Sequence, residues 1–172
     1  MVLAHQIMIK IVKATIQDLS IIERIAHQTW PLTYGQILSQ EQMQFMLQSF
    51  YSIEKLQENI EQSGHHFILV IEDEEVVGFA SFEPHYNNEK ATKIHKIYLL
   101  PETQGKGIGQ KVIDYIGVTA KENNFEKLVL NVNRFNKALG FYQRIGFSII
   151  EEVDIEIGQG YLMEDFVMAK KL

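Results

Sequence analysis

Cysteine is absent from the 172 residues, and no stretch is rich in proline, serine or glycine. Without cysteine the chain can form no disulfide framework and no thiolate zinc site, and it offers no cysteine nucleophile. Without a linker, an internal repeat or a low-complexity tract, nothing divides it, and we expect one domain over residues 1–172. No apolar run is long enough to span a bilayer, and residues 1–6 lack the pattern of a secretory signal.

Basic charge is also scarce, because 16 lysines and arginines stand against 22 aspartates and glutamates and leave a formal net charge of −6. This balance argues against nucleic acid or an anionic membrane as a partner, and it modestly favours cationic ligands. Apolar residues make up 46% of the chain, which is typical of a globular protein. Together with the missing cysteines, the composition predicts a cytoplasmic protein.

Apolar periodicity predicts a mixed α/β sheet with the order β-α-α-(α)-β-β-β-α-β-α-β-β. The first helix follows a cap at Thr15 with Asp18 behind it, and Pro31 is expected to end that helix at Trp30. Gly146 is expected to stop the last helix. The predicted strands are residues 7–12, 67–71, 76–82, 94–100, 127–132, 147–157 and 161–170, and the predicted helices begin at residues 15, 39, 52, 108 and 136.

One segment between a strand and a helix reads Gln104-Gly105-Lys106-Gly107-Ile108-Gly109, and we call it the glycine loop. Glycines let the backbone bend and let a phosphate approach closely, and the first amides of the following helix have no intrahelical partners. The loop fits neither a Walker A sequence nor a dinucleotide fingerprint, whose sixth position here is Gln110. A diphosphate site and a plain tight turn are both compatible with these residues alone.

A second motif follows the next predicted strand and reads Asn136-Lys137-Ala138-Leu139-Gly140-Phe141-Tyr142-Gln143-Arg144-Ile145-Gly146-Phe147. With Leu99-Leu100-Pro101-Glu102-Thr103 leading into the glycine loop, this arrangement resembles the GNAT superfamily of N-acetyltransferases over most of the chain. Residues 29–35, 38–42 and 160–168 are similar to a bacterial branch that includes spermidine/spermine-type acetyltransferases. The resemblance implies a GNAT-like fold, a central twisted mixed β-sheet flanked by helices, with acetyl-CoA as cosubstrate.

The resemblance also implies where acetyl-CoA binds. Loop amides would take the diphosphate, and free backbone groups of the preceding strand would hold the pantetheine arm, with the amide of Leu99 or a neighbour facing the thioester oxygen. In many members an asparagine that contacts the cofactor stands seven residues before the tyrosine. Phe135 takes that place here, so Asn136 and Asn133 are both candidates for this contact. The implied cofactor-binding residues are Ile97, Tyr98, Leu99, Gln104, Gly105, Lys106, Gly107, Ile108, Gly109, Asn133, Asn136 and Tyr142.

Catalysis by this family needs an acid for the leaving thiolate and a base for the amine. Tyr142 matches the family's tyrosine, and the resemblance implies that it is the general acid, since a phenol with an ordinary pKa near ~10 stays protonated at neutral pH. The alternative to this catalytic role is that Tyr142 only packs against neighbouring aromatic residues. For the base, His95 stands where a carboxylate is often found, although it also fits a surface histidine. Glu83, His85 and a water chain are alternatives.

The acceptor site is expected along the stretch that contains Trp30 and Tyr34, whose aromatic side chains either line it or belong to the core. Tyr161 and Asp165 near the end of the chain carry the same two alternatives. A primary amine on a small flexible molecule is the expected acceptor, because an aromatic face can hold an ammonium group and the acidic chain disfavours anionic acceptors.

The adjacent histidines His65 and His66 should open a strand and point to opposite faces of it, so we predict no metal site. Three functions remain: acetylation of a small amine such as a polyamine, acetylation of a peptide or protein amine, and acyl-CoA binding without chemistry. The loop and Tyr142 favour the two enzymatic functions. A homodimer is a further expectation.

Overall fold

The computed structural model describes residues 7–172, in which seven strands form a mixed sheet with the order β1-β2-β3-β4-β5-β7-β6. Strands β4 and β5 run parallel, and the other neighbouring strands pair antiparallel. β2 and β3 form the predicted hairpin. The strands are β1 (Ile9–Lys13), β2 (His66–Glu72), β3 (Glu75–Glu83), β4 (Ala91–Leu99), β5 (Lys127–Asn133), β6 (Ser148–Gly158) and β7 (Tyr161–Lys171).

The helices begin close to the capping residues of the sequence. Thr15 and Asp18 form a capping box, in which the Thr15 N–H donates to Asp18 Oδ2 at 2.8 Å, ahead of a short 3₁₀ turn that precedes the first helix. Ser39 and Ser52 cap the next two helices through their hydroxyl oxygens. The helices are α1 (Leu19–Tyr34), α2 (Gln40–Tyr51), α3 (Ile53–Glu61), α4 (Ile108–Glu122) and α5 (Ala138–Arg144), so the element order is the predicted one.

Different helices cover the two faces of the sheet. On one face, the α4 face, Ile108, Val112 and Ile116 of α4 are buried together with strand residues and α5. On the other, the α1 face, α1, α2 and α3 bury residues such as Ile22 and Leu56. Burying one such aliphatic side chain contributes about 1.5–3 kcal/mol, so both layers hold the central strands in place.

The expectation that Pro31 ends the first helix is wrong, because α1 continues to Tyr34 with Pro31 inside it. Proline removes one backbone hydrogen bond, here on the exposed side of the helix. Tertiary contacts hold the last turn, since the Trp30 ring lies 5.3 Å from the Tyr51 ring and the Tyr34 hydroxyl hydrogen-bonds the Tyr98 hydroxyl at 3.1 Å. Packing therefore outweighs the local rule.

The last helix is shorter than predicted, because it begins at Ala138 and not at Asn136. Asn136 Oδ1 accepts the N–H of Ala138 at 2.9 Å, so this side chain turns the backbone before the helix. Gly146, at φ +101°, follows the helix as expected of a stop residue. No helix within residues 7–172 is long and apolar enough to cross a membrane. The expectation about residues 1–6 lies outside the described part of the chain.

Candidate active site

Strands β4 and β5 diverge in the middle of the sheet. Their parallel pairing ends at Ile94 opposite Leu130, and no later pair joins them in the described residues. β4 stays paired with β3 as far as Leu99, while β5 continues along β7 to Asn133. Over residues 97–99, the edge of β4 that faces β5 therefore has backbone groups without sheet partners. Such an edge can bind an extended, amide-bearing ligand.

The glycine loop lies at the carboxyl end of β4 and leads into α4. Gly105 and Gly107 adopt φ of +78° and +73°, a left-handed conformation that costs other L-residues about 1–2 kcal/mol. A Cβ at either position would meet nothing within 4 Å, so these glycines leave open space above the backbone. Because the first amides of α4 lack intrahelical partners and the helix dipole adds positive potential, this space suits an anion.

Two side chains of the glycine loop are engaged elsewhere. The Lys106 ammonium contacts both carboxylate oxygens of Glu72, at 2.9 and 3.1 Å. Ile108 is buried in the core of the α4 face, so only its backbone can reach a ligand. Gly109 packs closely, since a Cβ there would lie 3.3 Å from Phe141. The groups that the loop can offer to an anion are thus mainly backbone amides.

A cavity of about 210 Å³ opens beside β4 on the α1 face. Its aromatic wall consists of Trp30, Tyr34, Tyr51 and Tyr98, with ring centroids of neighbouring pairs 4.5–6.0 Å apart. Trp30 and Tyr34 therefore line a cavity and belong to the core at once. We call it the aromatic cavity, and its polar lining residues are His95, Lys96, Asn131, Asn133 and Asp165.

His95 reaches the aromatic cavity because of a β-bulge. Ser81 of β3 pairs with Lys96, but the next residue pairs with Ile94, so His95 is an extra residue in β4. Strict alternation would place His95 and Lys96 on opposite faces of the sheet. With the bulge, both line the cavity. Bulges often redirect side chains in this way next to active sites.

His65, Glu83 and His95 come together from three separate segments, and we call them the His–Glu cluster. His95 Nε2 lies 2.8 Å from Glu83 Oε2, and the rings of His65 and His95 stack with centroids 4.0 Å apart. Burial, followed by the charges of Lys96 and Lys93, lowers the pKa of His95 to about 3, so its ring is neutral at pH 7. The tautomer with hydrogen on Nε2 donates to Glu83 and keeps the Nδ1 lone pair available.

The His–Glu cluster also offers three ligand atoms within 4.8 Å of one another, which is compatible with a metal ion in distance alone. The positive charges of Lys93 and Lys96 act on the same cluster and oppose a divalent cation. His66 turns away and stacks on Phe82, as predicted for adjacent strand residues. The absence of a metal site stays a prediction.

Asp165 is a buried carboxylate of the aromatic cavity, only 3% exposed. Asn131 donates to Asp165 Oδ2 at 3.4 Å and accepts a hydrogen bond from the Lys93 ammonium. Burial raises the pKa of Asp165, whereas the hydrogen bond from Asn131 and the charge of Lys93 oppose the rise. The cavity therefore contains a carboxylate whose negative charge is only partly balanced by Asn131 and Lys93.

Tyr142 is buried in the core of the α4 face, where its ring contacts Phe141 and Phe147. Its phenol interacts electrostatically with those of Tyr34 and Tyr98 on the α1 face. Burial raises the pKa of Tyr142, which keeps the hydroxyl protonated at neutral pH. The packing role and a role as proton donor are both compatible with this position.

The other sequence candidates are spread over different places. Asn133 lines the aromatic cavity, and its Oδ1 accepts the N–H of Phe135 at 3.0 Å. Asn136 accepts the N–H of Ala138 and turns the backbone ahead of α5. His85 lies against Phe125 in a second cavity, away from His95, and Tyr161 packs on Phe45. Of the two side chains that are alternatives to His95 as the base, Glu83 contacts His95, and His85 lies in the second cavity.

Several residues that line the aromatic cavity are not among those predicted from the sequence. Tyr51 of α2 and Asn131 of β5 line the aromatic cavity, and Lys96 of β4 does so as well. His65 was expected only to open a strand. Lys96 and Tyr98 share the two-residue period of a strand face, which is a sequence signal for the lysine. The bulge at His95 and the stacking of His65 leave no such local signal.

Comparison with known proteins agrees with this geometry. Residues 24–147 match the Acetyltransferase (GNAT) family. A spermidine N(1)-acetyltransferase from Thermoplasma acidophilum is 29% identical over 168 residues, covering 95% of this chain and 97% of the relative. The crystal structure of PaiA N-acetyltransferase from the same organism, in complex with coenzyme A, superposes with a TM-score of 0.79 at 26% identity, covering 96% and 99% of the two chains.

A GCN5-related N-acetyltransferase from Rhodopseudomonas palustris has a TM-score of 0.80 over 95% of both chains at 18% identity, which supports the fold alone. The protein belongs to the GNAT acetyltransferase family, and its seven-stranded mixed open sheet flanked by helices is the GNAT fold. It is an N-acetyltransferase that uses acetyl-CoA.

Proposed function

We propose that the protein transfers the acetyl group of acetyl-CoA to a primary amine of a small molecule, with polyamines as the first acceptors to test. The observation that carries this proposal is the aromatic cavity beside the open edge of β4, with its four rings and the buried carboxylate of Asp165. Aromatic faces and a carboxylate are the groups that bind ammonium in proteins. A molecule with several amines can place one on Asp165 and present another for reaction.

The cavity already holds one ammonium group of the protein itself. The Lys96 Nζ stands 5.0 Å from the centroid of the Tyr51 ring, which supports binding of a cation at this wall. Burial lowers the pKa of Lys96 to about 8. An acceptor amine in the same surroundings should lose its proton more easily than in water, and only the neutral amine can attack the thioester.

We assign His95 the task of accepting this proton, directly or through water. Because burial makes its imidazole a weak base, the cavity must first lower the pKa of the amine, as it does for Lys96. Glu83 holds the tautomer and would stabilise the imidazolium that forms. The arrangement resembles the histidine–carboxylate pairs of other enzymes in its division of tasks.

The remaining groups act on acetyl-CoA as substrate. Backbone amides of the glycine loop would bind the diphosphate, and the unpaired edge at residues 97–99 would bind the pantetheine arm, with the Leu99 amide or a neighbour polarising the thioester carbonyl. Tyr142 would protonate the leaving thiolate, for which a hydroxyl with a raised pKa is suitably protonated. The Thermoplasma relative that is named a spermidine acetyltransferase supports a polyamine acceptor, although acceptors differ within one fold.

The direct test is release of thiol from acetyl-CoA with a panel of amines. Spermidine, spermine and small diamines are compared with lysine peptides and an aminoglycoside at equal amine concentration. We expect the highest kcat/KM with a polyamine. If the enzyme acetylates peptides efficiently and does not acetylate polyamines, the proposed acceptor is wrong and the protein acetyltransferase alternative is favoured.

The pH dependence tests the role of His95. With a saturating amine, kcat should rise from pH 6 toward 9, with a midpoint below the free amine pKa of about 10. His95→Ala should lower kcat across this range and leave the midpoint in place, because His95 is already neutral at pH 6 and the rise belongs to the amine. His27→Ala, at an exposed position on α1, should change neither. An unchanged kcat in His95→Ala removes the histidine from the mechanism.

A further inference from the structure

Burial lowers the pKa of two lysines of β4, Lys93 and Lys96, to about 8, but of these two only Lys96 lines the aromatic cavity, since the Lys93 ammonium donates to Asn131 and lies over the Tyr86 ring. Lys55, Lys90, Lys106 and Lys127 form ion pairs with glutamates. Within residues 7–172, no ion pair joins Lys96 to a carboxylate. Its ammonium lies instead in the aromatic cavity against the Tyr51 ring. The chain thus carries a primary amine in the cavity that we assign to the acceptor.

The surroundings of Lys96 favour the neutral, nucleophilic form of its amine. Burial is the main cause of its lowered pKa, and the nearby charge of Lys55 acts in the same direction. A buried lysine of this kind exposes a lone pair at mildly alkaline pH, when surface lysines remain almost fully protonated. The requirement for an unprotonated amine is therefore met without any added substrate.

The position of Lys96 in β4 brings its amine within reach of the reaction centre. Lys96 and Tyr98 lie on the same face of the strand, about 7 Å apart along it, and both line the aromatic cavity. Residues 97–99 form the open edge along which the thioester is expected. The flexible four-carbon stem of lysine lets the amine turn from Tyr51 toward that edge by changes in its side-chain torsions.

We propose that Lys96 is an internal acceptor, and that the enzyme acetylates it intramolecularly when no other amine fills the aromatic cavity. The Lys96 nitrogen forms a bond to the thioester carbonyl carbon, and the carbon–sulfur bond breaks. The nitrogen gives up its proton to His95 or water, and the CoA thiolate is protonated, so the products are N-acetyl-lysine and free CoA. This inference rests on the proposed placement of the acceptor site.

The experiment uses the purified full chain with acetyl-CoA and no acceptor. Peptide mass spectrometry follows acetylation of Lys96 and of Lys111, an exposed lysine on α4 that reports uncatalysed reaction with acetyl-CoA. We expect Lys96 to be acetylated at least tenfold faster than Lys111, with a rate constant independent of protein concentration. Excess spermidine should slow the modification of Lys96 by occupying the cavity, and Tyr142→Phe should slow it without affecting Lys111.

Equal rates at Lys96 and Lys111, or a rate constant that grows with protein concentration, would overturn the inference. Polyamine turnover by the same original protein separates this result from the proposed function. Turnover of polyamines together with an unmodified Lys96 would overturn the internal acceptor alone. A rapidly modified Lys96 in a protein that uses no polyamine would sink the polyamine proposal alone.

Discussion

The glycine loop and the aromatic cavity are built in different ways. The loop is one short segment, Gly105 and Gly107 in it are exposed, and its proposed binding groups are backbone amides. The cavity collects side chains from α1, α2, β4, β5 and β7, and most of these side chains are buried or half-buried. Local sequence can specify a backbone conformation, but only packing can bring distant side chains to one place.

The two regions also have different proposed functions. A loop of amides would recognise the invariant part of the cosubstrate, and a side-chain cavity could change its acceptor by single substitutions. We therefore expect loop variants to affect acetyl-CoA binding with any acceptor. Cavity variants should discriminate between acceptors.

The largest effect is expected for Gly107→Val. CoA at about 100 times its Kd should stabilise the original protein by roughly 2.7 kcal/mol, and the variant should lose this stabilisation because a valine strains the loop and fills its open space. The measurement is the change in Tm on adding CoA.

Gly160→Val is the matched control for Gly107→Val. Gly160 has φ +77° and nothing within 4 Å of a Cβ, but it lies in the turn between β6 and β7. Its variant should suffer similar strain and keep the response to CoA. A folded Gly107→Val that still responds normally to CoA would show that the loop does not bind the diphosphate.

Tyr142→Phe should reduce kcat by roughly a hundredfold while leaving the Kd for CoA nearly unchanged, because the hydroxyl acts only as the thiolate forms. Steady-state kinetics and calorimetric titration with CoA measure the two quantities. Tyr115→Phe, at an exposed site on α4, is the control and should behave like the original protein. Normal turnover in a folded Tyr142→Phe variant would exclude the role of Tyr142 as proton donor and leave only its packing role.

Asp165→Asn should raise the KM for spermidine about tenfold, equivalent to ~1.4 kcal/mol, because a second ammonium loses its carboxylate. A simple monoamine should be affected less, since its one nitrogen must react in the neutral form. Asp114→Asn, exposed on α4, serves as the control. Equal changes for the monoamine and the polyamine would contradict a selective role of Asp165 in the cavity.

The last comparison concerns stability in acid. Burial lowers the pKa of both His65 and His95 to about 3, below the unfolded value of 6.5, so the unfolded chain binds more protons between these values. The contribution of the two neutral rings to the free energy of unfolding is fully present above pH 6.5. It is lost as pH falls toward 3, and the free energy of unfolding then decreases by at most about 1.4 kcal/mol per pH unit for each ring.

Chemical denaturation at several pH values measures this slope. His65→Gln should make the free energy of unfolding less dependent on pH in that window, and His27→Gln on the exposed side of α1 should leave the slope unchanged. An identical slope in His65→Gln and the original protein would show that His65 is not held in its neutral form by burial.

Sequence reasoning was most accurate where the information is local. Ser39 and Ser52 start helices through caps that need no tertiary partner, and Gly146 stops the last helix. It failed at Pro31, where packing of Trp30 and Tyr34 extends α1 past the proline. That residues 1–172 form one domain, and that the protein forms a homodimer, stay predictions.

For the site, the sequence by itself determined the glycine loop and the candidates Tyr142 and His95, because motifs and spacing report on backbone conformation and family. Only the tertiary structure decided that β4 and β5 diverge, that a bulge directs His95 into the aromatic cavity, and that His65 and Glu83 meet it there. The physical reason is sequence separation: His65, Glu83 and His95 have no shared local pattern. Their contacts exist only because the sheet holds three distant segments side by side.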